Sequence, residues 1–293
     1  MNDATTALKE SVGRYGIWSV GLRSADTEDA GRRDERAEAA AELEKLGYGA
    51  LWLGGNTDAT HAAPLVAATS RLVVGTSIQS VWDHEASATA ARFAELEVAH
   101  PGRFMLGLGV SHGPRVQGYG RPYATMVGYL DELDRAGLPA HRRVLAALGP
   151  KMLELSRDRA AGAIPYLVTP EHTAQARERL GDGPLLAPEF KVVLESDPAQ
   201  ARGTARAYLA RYLELPNYTQ NFLRLGFTEE DVAGGGSDRL VDAVFAWGDD
   251  DTIRRRIAEF HEAGADHVAL QVVDGDPAGL PREGWRRLAA LLG

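Results

Sequence analysis

The sequence predicts a single-domain (β/α)8 barrel, the TIM-barrel fold. Strand-like and helix-like segments alternate along the 293 residues, and no Gly-, Ser- or Pro-rich linker divides them. The strand-like segments are continuously apolar rather than alternating, which indicates strands covered on both faces. The clearest of them is 72–80, LVVGTSIQS, which breaks at Gly75 and ends in small polar residues before a helical segment.

Eight segments have the pattern of buried parallel strands. In chain order they are 15–20, 50–53, 72–78, 104–109, 143–147, 163–168, 190–195 and 267–273. Eight such units over about 250 residues match the closed barrel. A doubly wound open sheet is the main alternative, because a miscount of one or two strands changes the topology.

Amphipathic helices are predicted between these strands, since apolar residues recur there at three- and four-residue spacing. They include 32–46, 85–99, 151–161, 174–180, 198–213 and 252–263. Gly47, Pro101-Gly102 and Gly264 follow three of the helices as stop signals just before the next strand.

Two segments fall outside the repeating pattern. Residues 1–13 are expected to form an N-terminal tail before the barrel domain of residues 14–293. Residues 214–236 contain Asn217, Tyr218 and three consecutive glycines, Gly234 to Gly236, and form the longest interruption. We expect this segment to be a lid-like insertion over the barrel mouth.

Composition excludes several classes of function. The chain has 32 basic and 41 acidic residues, and its net charge of −9 argues against nucleic acid or an anionic membrane as partner. The absence of cysteine excludes disulfides and thiolate metal sites. No apolar run has the roughly 20 residues of a membrane span, so a cytoplasmic protein is expected. No metal site is predicted, because His84-Glu85 begins an HExxH match that Ala88 ends.

In a (β/α)8 barrel, the chemistry belongs at the carboxyl ends of the strands. The carboxyl ends of five predicted strands lie at Gly54-Gly55-Asn56, Ser77 to Trp82, Val110 to Gly113, Leu148-Gly149-Pro150-Lys151, and Tyr166 to Thr169. Each glycine alone can be explained by a turn that needs a positive φ. Five such strand ends together predict a binding site.

Two of these strand ends carry a resemblance to a known family. GTSI at 75–78, followed by PGRFMLGLGVSHG at 101–113, resembles the luciferase-like barrel oxidoreductases, most closely the branch that uses the deazaflavin coenzyme F420. LGPKM at 148–152 and PYLVTPEHT at 165–173 match as well. The likeness extends from Tyr15 to Val273.

The resemblance implies an enzyme that transfers a hydride between F420 and a small organic substrate. It implies a cis peptide at Ser77-Ile78 behind the cofactor ring, and backbone N–H groups for the cofactor phosphate in the loops at 148–151 and 166–169. It also implies a homodimer. Thr169-Pro170-Glu171 reads independently as a helix start with free amides for an anion. The implied cofactor-binding residues are Gly54, Gly55, Asn56, Ser77, Ile78, Gly109, Ser111, Leu148, Gly149, Lys151, Tyr166, Leu167, Val168 and Thr169.

Two departures from the family pattern limit what the resemblance implies. The sugar-phosphate dehydrogenases of the family have an Asp-His pair where this chain has Gly54-Gly55, and a catalytic Glu where it has His112. Oxidation of glucose 6-phosphate is therefore not expected. His112 is the candidate proton donor or acceptor, because an imidazole titrates near neutral pH. Alternatively, His112 only hydrogen-bonds the cofactor or the loop backbone.

Other interpretations stay open at this point. Trp18 and Trp82 can wall a substrate cavity or simply pack in the core. A monooxygenase that uses reduced FMN is the alternative within the fold, and a non-catalytic ligand-binding barrel is a more distant one. Gly109 to Gly113 spells the G-x-S-x-G of α/β-hydrolases, but Pro114 and Gly118 follow where that motif needs a helix.

Overall fold

The computed structural model describes residues 2–23 and 30–293. All paired strands in this part of the chain are parallel, and helices separate most of them. The strands are β1 (Tyr15–Ser19), β2 (Ala50–Gly54), β3 (Val73–Ser77), β4 (Gln79–Ser80), β5 (Phe104–Gly109), β6 (Arg143–Leu145), β7 (Gly162–Ala163), β8 (Leu185–Leu186), β9 (Glu189–Val193), β10 (Phe245–Trp247) and β11 (Val268–Val272). The helices are α1 (Asn2–Val12), α2 (Ala30–Lys45), α3 (Ala59–Ala67), α4 (Ala86–Ala99), α5 (Pro122–Arg135), α6 (Pro150–Arg159), α7 (Pro170–Leu180), α8 (Pro198–Leu213), α9 (Pro216–Arg224), α10 (Glu229–Val232), α11 (Asp238–Val244), α12 (Asp250–Glu262) and α13 (Arg282–Leu292).

The segment that contains β8 and β9 closes the sheet into a barrel. On one side, the amides of Leu185 and Ala187 donate to the carbonyls of Ala161 and Ala163 beside β7. On the other side, β9 pairs in parallel with β11, which in turn pairs with β1. The predicted (β/α)8 fold is therefore confirmed, and the open sheet is excluded.

The strands are buried on both faces, as their continuous apolar sequences predicted. All six residues of β5 are buried, as are all five of β2. Residues alternate along each strand between the barrel interior and the helical layer. In β2, Ala50 and Trp52 pack inside with Met105 of β5, whereas Leu51 and Leu53 pack against the surrounding helices.

The N-terminal segment is not the expected tail. Residues 2–12 form α1, and the side chains of Leu8 and Val12 are buried in the same cluster as the barrel interior. A Cβ on Gly49 would lie 2.2 Å from the Val12 carbonyl oxygen, so the end of α1 contacts the start of β2 directly. The helix therefore covers the barrel at the amino ends of the strands. Met1 lies outside the described residues.

The sixth predicted strand, 163–168, is wrong beyond its first residue. Only Gly162 and Ala163 form a strand, because Pro165 has no N–H to donate and Leu167 has a φ of +56°. The fifth strand ends two residues early, at Leu145. The sequence analysis did not predict the short strands β4, β8 and β10.

The insertion at 214–236 contains two helices, α9 and α10. Tyr218 and Phe222 of α9 are buried in a cluster that also contains Leu209 of α8. The inserted helices therefore pack on the barrel beside its mouth. No helix in the described ranges has both the length and the apolar composition to span a membrane.

Candidate active site

A cavity of about 600 Å³ opens at the carboxyl ends of the strands. It brings together residues from the loops after β1, β2, β3, β5, β6 and β7, from the end of α8 and from the insertion. Of the predicted site residues, it is lined by Trp18, Gly55, Asn56, Ser77, Ile78, Gly109, Ser111, His112, Leu148, Gly149 and Tyr166. Gly54, Lys151, Leu167, Val168, Thr169 and Trp82 do not line it.

One wall of this cavity is the end of β3. The Ser77–Ile78 peptide bond is cis, as the resemblance implied. The amide of Ile78 donates to the Gly55 carbonyl, and the Ile78 carbonyl accepts from the amide of Thr57. A Cβ on Gly109 would lie 2.9 Å from the Ile78 side chain, which explains why β5 ends in glycine. The backbone of Ile78 is thus hydrogen-bonded to the loop after β2, and its side chain packs against the end of β5.

Trp18 forms the adjoining wall. Its indole Nε1 donates to Ser77 Oγ at 3.0 Å, and its ring centroid lies 5.1 Å from that of Tyr166. A Cβ on Gly54 would lie 2.4 Å from the Trp18 ring, so a larger residue cannot replace that glycine without moving the indole. Gly54 therefore contributes to the site by admitting Trp18, although it does not line the cavity.

Asn56 connects two loops at the rim. Its Oδ1 accepts from the Ser80 amide, and its Nδ2 donates to Asp83 Oδ2 at 2.9 Å. Trp82 was predicted to line the substrate cavity but lies behind the residues that do. Its Nε1 donates to the Val110 carbonyl, and its ring packs on Tyr119. Tyr119 is the aromatic residue that lines the cavity on this side.

His112 lies in the cavity wall, half-buried, on the loop after β5. Its Nδ1 is 2.9 Å from Oδ1 of Asn217, which belongs to α9 of the insertion. The Tyr218 ring packs against the imidazole at 5.4 Å. Ser111, just before it, has a φ of +53°, which turns the loop toward the cavity. The insertion therefore contacts the candidate proton-transfer residue directly.

The two loops expected to hold a phosphate differ from each other. At the start of α6, Gly149 lines the cavity, and no side chain caps the helix. At the start of α7, Thr169 is buried, and its own hydroxyl accepts from the His172 amide at 3.3 Å. Lys151 is exposed on α6 and is absent from the cavity wall. The start of α6, where no side chain accepts from the first amides, is therefore more open to an anion than the capped start of α7.

The sequence model of the luciferase-like monooxygenase family matches residues 14–136 and 134–267, nearly the whole barrel. The chain belongs to this family. No sequence in a comparison with curated proteins matches significantly.

Solved structures of luciferase-like enzymes have the same fold. An F420-dependent secondary alcohol dehydrogenase in complex with an F420-acetone adduct is 12% identical, with a TM-score of 0.71, 96% of this chain covered and 99% of that one. The coenzyme F420-dependent tetrahydromethanopterin reductase from Methanopyrus kandleri is 14% identical, with a TM-score of 0.72 and coverage of 94% and 97%. The oxygenating constituent of 3,6-diketocamphane monooxygenase from Pseudomonas putida, in complex with FMN, is 13% identical, with a TM-score of 0.66 and coverage of 96% and 98%.

The sequence analysis missed part of the wall that helices α8 and α9 supply to this luciferase-like barrel. Arg211 and Tyr212 at the end of α8, and Asn217 and Tyr218 at the start of α9, line the cavity. The signal was present as polar and aromatic residues around the break at Leu215, but a helix end does not reveal which barrel loop it faces. Only the approximate position of the insertion was predictable.

A buried ion pair lies beneath Tyr166. Lys191 Nζ is 2.6 Å from Glu189 Oε2 and 3.9 Å from the centre of the Tyr166 ring. Burial lowers the pKa of Lys191 to about 8, although the carboxylate of Glu189 opposes this shift. Glu189 Oε2 also accepts from the Leu167 amide at 3.3 Å. The pair therefore supports the cavity wall and the turn at Leu167.

Four tyrosines form a connected cluster above this pair. The Tyr166 hydroxyl is 2.6 Å from that of Tyr208 and 2.9 Å from that of Tyr212, and the Tyr218 ring packs on Tyr166 and Tyr212. Burial raises the pKa of Tyr166 well above its ordinary value. The Tyr166 hydroxyl is therefore a neutral hydrogen-bonding group near pH 7. In the described part of the chain, no group of three or more His, Asp or Glu side chains is arranged to hold a metal ion.

Proposed function

We propose that this luciferase-like protein is an oxidoreductase that transfers a hydride between coenzyme F420 and a small organic substrate. The observation that carries the proposal is the cavity at the strand ends, where the Ser77–Ile78 peptide, Gly109 and Gly149 line one continuous wall. Two luciferase-like enzymes of the same fold use F420, according to their descriptions. The site of the chemistry is then the mouth of the barrel.

The residues of the cavity fit such a cofactor. Gly109 and the Ser77–Ile78 peptide would face the deazaflavin ring, because Gly109 has no side chain and the Ile78 side chain packs in the space that this leaves. The uncapped start of α6 would face the phosphate, and a Cβ on Gly149 meets nothing within 4 Å. When bound, F420 supplies the carbon that accepts or donates the hydride.

The chain's own contribution is positioning, exclusion of water and proton transfer. Trp18 and Tyr119 form apolar walls that exclude water from the reacting carbon. Hydride transfer to a carbonyl carbon places negative charge on its oxygen, and the reverse reaction requires an alcohol to lose a proton. His112 is the group in the wall that we assign to this proton.

A monooxygenase that uses reduced FMN is the second candidate, because the diketocamphane enzyme of the same fold holds FMN. FMN carries a phosphate too, so the start of α6 suits either cofactor. F420 is preferred because an imidazole in the wall provides the proton transfer that accompanies hydride transfer to or from a carbonyl. A chain that binds a ligand without catalysis would bind neither cofactor in this cavity.

Calorimetric titration with F420 and with FMN tests the proposal. We expect F420 to bind more tightly. Gly149→Asp should weaken F420 binding by roughly 10- to 100-fold, because the new carboxylate caps the amides that would otherwise contact the phosphate. Gly128→Asp, on the exposed face of α5, is the matched control and should leave the affinity unchanged. Tight FMN binding without F420 binding would overturn the proposal.

We also propose a homodimer, which is what the family resemblance implies. Light scattering coupled to size-exclusion chromatography tests it: a mass near twice 31.5 kDa is expected, and a mass near 31.5 kDa at micromolar concentration argues against it.

A further inference from the structure

The contact between His112 and Asn217 constrains the chemistry of the imidazole. The two side chains belong to segments 105 residues apart, and Nδ1 of the ring lies 2.9 Å from Oδ1 of the amide. An amide oxygen only accepts hydrogen bonds. A hydrogen bond between Nδ1 and this oxygen therefore requires the hydrogen to be on Nδ1.

The position of this hydrogen determines which ring nitrogen can take a proton. In a neutral imidazole with its hydrogen on Nδ1, Nε2 has the free lone pair. An unconstrained neutral imidazole favours the opposite arrangement, with the hydrogen on Nε2. The hydrogen bond to Asn217 thus reverses the ordinary preference of the ring.

The surroundings hold this arrangement in place. Tyr218, the neighbour of Asn217 on α9, packs its ring against His112 at 5.4 Å and is itself buried against Tyr166 and Tyr212. The hydrogen bond and the ring contact both come from the first turn of α9. Both contacts therefore constrain the plane of the ring, and the hydrogen bond also constrains its tautomer.

We propose that Asn217 is a positioning residue that fixes His112 in the Nδ1–H tautomer and makes Nε2 the atom that exchanges a proton with the substrate. The inference rests on the proposed function, since it assigns the proton transfer to His112. It gives the insertion a chemical role: α9 orients the imidazole, although Asn217 itself exchanges no proton.

Long-range nitrogen–proton NMR spectra of the uniformly labelled, cofactor-free protein test this directly, at a pH where the imidazole is neutral. The His112 signals are identified among the eight histidines by their loss in His112→Gln. We expect Nδ1 to be pyrrole-like and Nε2 pyridine-like. In Asn217→Leu, which cannot accept a hydrogen bond, the two should exchange character. Asn217→Asp, which can accept, should keep the wild-type pattern.

Turnover provides the second readout, with 2-propanol and acetone as the probe pair. Asn217→Leu should lower kcat at least about 10-fold with little change in F420 affinity, and Asn217→Asp should restore most of it. Gln220→Leu, an exposed change on the same helix, is the control. The inference is overturned if Nδ1 of His112 remains pyrrole-like in Asn217→Leu. It is also overturned if Nδ1 and Nε2 exchange character in that variant while turnover is unchanged. Failure of the wild type to bind F420 instead overturns the proposed function and leaves the tautomer assignment standing.

Discussion

At the scale of single residues, His112 is the side chain on which the proposed chemistry depends. It lines the cavity on the loop after β5, three positions past Gly109. The glycines around it have a different role, because they let large side chains and backbone approach each other closely. Chemistry and packing thus fall on different residues of the same wall.

Replacing His112 by Ala should lower kcat by about 10²- to 10⁴-fold, the usual contribution of a positioned acid or base. The dissociation constant of F420 should change little, because the expected cofactor contacts lie at Ser77, Gly109 and Gly149. Steady-state kinetics and a binding titration on the same preparation separate the two effects. Weaker cofactor binding with unchanged kcat at saturation would make His112 a binding contact only.

Replacing Gly54 by Ala should destabilise the protein by about 1–3 kcal/mol, because the new methyl overpacks against Trp18. The added Cβ would meet the indole at 2.4 Å. Gly128→Ala is the matched control: it lies on the exposed face of α5 with nothing within 4 Å, and should stabilise by about 0.5–1 kcal/mol. Urea unfolding measures both. Equal stabilities for the two variants would contradict the described packing of Trp18.

At the scale of elements, the site depends on how strands and loops are held together. The Lys191–Glu189 pair holds β9 against the turn at Leu167, and Glu44 of α2 holds the start of β3. Both contacts are made by charged groups that accept or donate several hydrogen bonds. We therefore expect removal of these charged groups to change the stability of the protein more than it changes the chemistry.

Replacing Lys191 by Met should destabilise the protein by about 3–5 kcal/mol, because it leaves the carboxyl of Glu189 buried without its partner. Lys191 is fully buried, and Glu189 is 3% exposed. The double variant Glu189→Gln with Lys191→Met should recover part of this loss, since no charge is then buried. Urea unfolding of wild type, of each single variant and of the double variant gives the coupling. A double variant whose loss equals the sum of the two single losses would rule out coupling between the two side chains.

Glu44 should make stability depend on pH. Burial would raise its pKa, but hydrogen bonds from the amides of Arg71 and Leu72, and from Ser70, outweigh burial and lower the pKa to about 2. Because the pKa of the unfolded chain is near 4.5, this contribution is complete above pH 4.5 and is lost as the pH falls toward 2. Glu44→Gln should therefore lose less stability than wild type between about pH 6 and pH 3. Glu35→Gln, an exposed change on the same helix, should follow wild type in urea unfolding, and identical pH dependence in all three would contradict this account.

The sequence predicted those elements whose apolar pattern is uninterrupted. The strand at Phe104–Gly109 has the same bounds in sequence and structure, because both of its faces are covered. The strand predicted at 163–168 was too long. Leu167 is apolar, but its backbone has a left-handed conformation that cannot be predicted from its sequence. The strand β10 is only three residues long, below the length at which a pattern can be read.

At the scale of the whole molecule, one barrel brings six strand ends to a single mouth. The resemblance to luciferase-like enzymes named strand ends that line this cavity, because every such barrel shares them. Arg211, Tyr212, Asn217 and Tyr218 were not assigned, because their position depends on how the insertion packs across the barrel. The part of the site supplied by the insertion therefore required the tertiary structure.

The central claim is that F420 binds in this cavity with its ring on the end of β3 and its phosphate at the start of α6. A crystal structure of the protein with F420 tests this most directly. We predict the deazaflavin ring against the Ser77–Ile78 peptide and Gly109, with the phosphate at the amides that follow Gly149. A cofactor bound outside this cavity, or with its phosphate at the start of α7, would contradict the account.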